Sequence, residues 1–113
     1  MIEAPDLTVA PGSSGSFDLL LVNTSSTDSF DIAGDQFVLS LSGPAGIDFT
    51  GVSINTVAAP YIFISSGTTQ PGGLPLSLDT FPNTSFTGLD TEFASPGYRP
   101  VNPGDTFGLA HVS

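Results

Sequence analysis

Gln36-Phe37-Val38-Leu39-Ser40-Leu41 is the stretch that decides the fold class. Phe37, Leu39 and Leu41 fall on one side and Gln36 and Ser40 on the other, with Val38 as the exception. That period of two is the mark of a half-buried β-strand. Upstream, Phe17, Leu19 and Leu21 alternate with Asp18, Leu20 and Val22. The second strand is therefore apolar on both faces after Asp18, which predicts a central position with each face covered. Leu7 and Val9 alternate ahead of the Pro11–Gly15 turn and predict an opening strand, and Phe30 with Ile32 predicts a short one. Downstream, Gly43-Pro44-Ala45-Gly46 reads as a turn, and Ile47 to Ile54 as a strand with a bulge or bend at Gly51.

Tyr61 to Ile64 reads as a short apolar strand led by Pro60. Beyond Ser65, proline and glycine break the text into short pieces. Leu74, Leu76 and Leu78 alternate around Pro75, which suits an edge strand or an extended loop. Phe81, Phe86, Leu89 and Phe93 recur as pegs to the core. A structureless loop of about 40 residues is unusual in a compact domain, so further short strands are expected here. Asn102-Pro103-Gly104-Asp105 is a turn signal, and Thr106 to Ser113 follows as a last strand. No window sustains an amphipathic helix. The fold class expected is an all-β antiparallel sandwich of seven to nine short strands with essentially no helix. At 113 residues, the chain has room for one domain, 1–113.

Charge narrows the partners. Eleven acids face one basic side chain, Arg99, giving a formal net charge of −10. Such a surface repels phosphate, which argues against nucleic acid and anionic membrane. There is no cysteine, so disulfides and thiolate metal sites are excluded. No apolar run approaches the ~20 residues of a membrane-spanning helix. The N-terminus lacks the basic and apolar regions of a signal peptide. The Ser/Thr/Gly-rich, lysine-free composition suits an exported protein, and the sequence reads as a trimmed piece of one.

Few residues carry catalytic chemistry. His111 is the single histidine, placed between Ala110 and Val112, and reads as a half-buried or surface imidazole. Nothing resembles a nucleophile elbow, and the acids fall in loops or on polar strand faces, so the chain reads as non-catalytic. Asp28, Asp31 and Asp35 in one loop, with Asp90 and Glu92 in another, form the candidate Ca²⁺ ligands, because Ca²⁺ takes clustered carboxylate and carbonyl oxygens. Tyr98, Arg99 and Tyr61 are the candidate ligand-binding residues, since sugars stack on exposed rings. Asn23-Thr24-Ser25 and Asn83-Thr84-Ser85 fit the glycosylation sequon and mark exposed loops. The final strand, if an open edge, would offer a site for weak edge-to-edge homodimerisation, with no lysine to discourage it.

Pro11-Gly12-x-x-Gly15-x-Phe17-Asp18-Leu19-Leu20-Leu21-Val22-Asn23, then Phe37 to Leu41, then Pro103 to Ser113, together resemble cohesin-like extracellular β-sandwiches. Within that group the similarity is to domains of bacterial proteins bearing a PEP-CTERM surface-sorting tail. It rests on Val9 to Asn23 and Val101 to Ser113, and the region from Ser65 to Pro100 departs from it. The resemblance implies a jelly-roll architecture, a secreted or cell-surface location in bacteria, and a protein partner or extracellular polysaccharide. The function expected is an interaction or structural module. A carbohydrate-binding module, calcium-assisted or not, is the alternative, and a glycoside hydrolase or lyase fragment the third reading.

Overall fold

The computed structural model describes residues 1–42, 46–63, 66–67, 75–78 and 83–113. Among them the chain is all-β and has no helix. The strands are β1 (Ile2–Glu3), β2 (Phe17–Val22), β3 (Phe30–Ile32), β4 (Gly34–Ser40), β5 (Val52–Ser53), β6 (Ser66–Gly67), β7 (Leu76–Leu78), β8 (Ser85–Glu92), β9 (Arg99–Val101) and β10 (Thr106–Val112). They pair antiparallel in three sheets: β1-β2-β10-β5, then β3-β9, then β4-β8-β6 with β7 also on β8.

β2 takes the central place its two apolar faces require, between β1 and β10. Leu19 is buried on one face and Asp18 on the other. On β4 the half-buried side chains are Asp35, Phe37 and Leu39, while Val38 stands 63% exposed. One core joins the sheets. Leu19, Phe107, Ala110 and Val112 from the first meet Phe86 and Leu76 from the third, with Val101 from β9. Phe86 is fully buried and takes the edges of Phe49 and Phe37, at centroid distances of 5.3 and 5.9 Å. Such edge-to-face contacts follow from the ring quadrupole. Phe37 also lies directly over its cross-strand partner Gly88, in space that a Cβ would need.

Several expectations change. Leu7 and Val9 form no strand: both are about half exposed and their side chains fold onto Gly15, while pairing with β2 is taken by Ile2–Glu3. Ile47 to Thr50 are not strand, and only Val52–Ser53 pairs, with β10. Ile62 and Phe63 are buried in the core, but among the described residues their segment forms no strand and pairs with the first sheet through an isolated parallel bridge from Tyr61 to Gly108. Leu76–Leu78 is an edge strand, as Pro75 suggested. Phe93 is no core peg, being 73% exposed. Gly43, Pro44 and Ala45 of the expected turn, with Ile64, Leu74 and Phe81, lie outside the described residues.

The largest correction concerns the last strand. β10 is no open edge: it pairs with β2 along its length and with β5 at His111 and Val112. Midway, Gly108 donates its N–H to the Pro60 carbonyl at 2.7 Å and accepts from the Ile62 N–H at 3.0 Å. Thr106–Ser113 is therefore not the open edge that the expected edge-to-edge homodimer requires. A bulge at Leu109 shifts the register between Gly108 and Ala110.

Candidate functional site

Asp18 is the one acid inside the β2 apolar run, and the register sets it directly opposite His111. The His111 Nδ1 lies 2.7 Å from Asp18 Oδ1. With Asp18 ionised, that bond requires the ring hydrogen on Nδ1. Asp18 Oδ2 accepts two backbone N–H bonds, from Val57 at 2.6 Å and Ala58 at 2.5 Å. Burial works against the charge on Asp18, but the bonds from Ala58, His111 and Val57 together outweigh it and hold the carboxyl below its ordinary range. The carboxylate thus straps the 55–60 loop across the outer face of the first sheet.

Two further contacts seat that loop. The Thr56 hydroxyl donates to the Ala59 carbonyl at 2.8 Å, and its side chain occupies the space a Cβ on residue 108 would fill. Only glycine at 108 lets the loop lie so close. Beside the strap is an open cleft of about 220 Å³, lined by Glu3, Ala4, Pro5, Asp18, Leu20 and Ala58. Its walls are mostly apolar, and Val57, next to Ala58 in the loop, is 81% exposed. On the far side of His111, Ser53 occupies the opposed position on β5. Its hydroxyl oxygen accepts the Asn55 N–H at 3.3 Å. Asp18, His111 and Ser53 thus form a row across three strands, in which the Ser53 hydroxyl oxygen serves its own loop.

The calcium candidates do not assemble as one set. Asp28 and Asp31 are exposed; Asp28 accepts the Thr27 hydroxyl, and Asp31 lies opposite Pro100. Asp35 and Asp90 are brought face to face across β4 and β8. Glu92 is buried further along β8 and accepts the Ala94 N–H at 2.8 Å. Among the described residues no group of three or more acids and histidines is placed to hold a metal ion.

The ring candidates also separate by role. The Tyr61 hydroxyl donates to Asp90 Oδ2 at 2.6 Å, and its ring meets Phe63 edge-on. Burial, then the bond and charge of Asp90, push the Tyr61 phenol far above its ordinary value. The Arg99 guanidinium stacks over Phe107, 4.8 Å from the ring centroid. Tyr98 alone keeps an open face, at 39% exposure.

Two residues of weight escaped the sequence reading. Asp18 was legible in principle, as an acid interrupting a strand apolar on both faces, with the lone histidine in another strand. Asn23 was read as an exposed sequon but is 4% exposed. Its Nδ2 donates to the carbonyls of Asp28 and Val101, and its Oδ1 accepts the Ser25 N–H. With both faces of the amide engaged, it is closed to glycosylation in the folded protein. No family model, curated protein or solved structure matches this chain.

Proposed function

We propose that the chain is a non-catalytic interaction module of the bacterial cell surface or extracellular space, built as a β-sandwich of the jelly-roll, cohesin-like kind. The carrying observation is the apolar cleft on the outer face of the first sheet, whose Ala58 wall is pinned by Asp18. A surface fixed before contact loses less entropy on binding, and an apolar patch held in solvent suits a protein partner. The shared core of the first and third sheets supports the sandwich reading. The net charge of −10 directs partner choice toward neutral or cationic surfaces.

Sugar binding is the second reading, favoured by the exposed Tyr98 ring beside Arg99. One array carrying envelope proteins and surface polysaccharides from the source cells separates the two. Retention on proteins that Ala4→Asp, in the cleft lining, abolishes and Tyr98→Ala leaves intact is the expected result. Binding to sugars that only Tyr98→Ala removes would establish the second reading, and retention insensitive to both would sink the cleft as a contact surface.

A further inference from the structure

Asp35 and Asp90 oppose each other directly in the β4–β8 ladder, an arrangement in which like charges repel. Asp90 is 1% exposed and accepts the Tyr61 hydroxyl on Oδ2 and the Thr91 N–H on Oδ1. Asp35 accepts the Asp90 N–H on Oδ1 at 3.2 Å, while its Oδ2 is buried with no hydrogen-bond partner. A bare carboxylate oxygen out of water is costly, whereas the protonated acid is neutral there and repels nothing. Among the described residues, the ionisable groups facing Asp35 are Asp90 on β8 and Tyr61, with Glu92 further along the buried face of β8. None is cationic. Arg99 lies over Phe107 and His111 pairs with Asp18, so neither offsets this pair.

We propose that Asp35 is a proton-operated latch: protonated, it holds the Gly34–Asp35 end of β4 on β8, and ionised, it loosens that end. Burial and the Asp90 charge raise its pKa to about 6, which puts the change between mild acid and neutrality. The lever has a short arm. Gly34 packs on the Asp90 carbonyl, and Ala33 alone separates β4 from β3. The Ala33 carbonyl also accepts the Glu92 N–H at 2.9 Å, so loosening there reaches the β3–β9 pair.

Amide hydrogen exchange of peptides spanning 33–37, corrected for intrinsic rates, tests the latch. Protection is expected to fall roughly tenfold between pH 5 and pH 7.5, with β2–β10 amides moving less. Asp35→Asn, which cannot ionise, should abolish that difference. Equal protection at both pH values in the wild type, or an unchanged pH response in the variant, overturns the proposal. Should the variant not fold, a carboxyl-carbon titration of the wild type decides. A midpoint near 6 for Asp35 supports the latch, and one near the ordinary carboxylate value refutes it.

Discussion

Asn23 shows how much a single amide can join. Its backbone N–H reaches the Asp105 carbonyl and its own carbonyl takes the Gly104 N–H, both at 3.0 Å, while the side chain ties Asp28 to Val101. Removing the side chain leaves the buried Val101 carbonyl without that donor, so Asn23→Ala is expected to cost about 2 kcal/mol in urea unfolding. Asp18 is the second such residue. Asp18→Ala strands the Val57 and Ala58 N–H groups and frees the 55–60 loop; a loss of about 2–3 kcal/mol is expected. The Val57 and Ala58 amides should also lose exchange protection well before those of β10. Neither role is visible from residue type alone. An Asn after a strand and an Asp within one have many uses, and the partners lie 78 and 93 positions away in sequence.

The elements divide by how their buried faces read. β2 and β4 show plain apolar alternation and were legible, as was the Asn102–Asp105 turn, where Gly104 adopts φ +81°. β8 was not, though at eight residues it is the longest strand among the described residues. Its buried face runs Phe86, Gly88, Asp90, Glu92, so hydrophobic periodicity finds one apolar residue in four. The glycine is there because Phe37 covers it, and the acids because Tyr61 and backbone N–H groups receive them. Gly88→Val should therefore displace the Phe37 ring and loosen the Phe37–Phe86 contact, at about 2 kcal/mol by thermal unfolding. Gly108→Val meets Thr56 and should cost a similar ~2 kcal/mol. Adding Thr56→Gly should restore part of it, a coupling that a double-mutant cycle measures.

At the scale of the molecule, two carboxyls set opposite pH limits. Asp18 has a lowered folded pKa, so its contribution is present above the ordinary carboxylate value and is lost as pH falls through the lowered one. Asp35 has a raised one, so its contribution is fully present below the ordinary value and is lost as pH rises through about 6. After solvent screening, the Asp35 effect is at most roughly 2 kcal/mol. Self-repulsion at a net charge of −10 acts in the same direction as Asp35 and is relieved by salt. The melting temperature is expected to peak in mild acid. Asp35→Asn should flatten the neutral side of that peak and Asp18→Asn the acid side; a single maximum at neutral pH, unmoved by either change, would contradict this assignment. The sequence by itself determined the all-β class, the central place of β2, the faces of β4 and the acidity of the surface. Each of these follows from local alternation or from composition, which need no knowledge of distant partners. Only the tertiary structure decided that β10 is central, that β8 exists as a long strand, and that Asp18 meets His111 while Asp35 meets Asp90. Those outcomes depend on register between strands far apart in the chain, and register is fixed by packing of the whole core, not by any segment read alone.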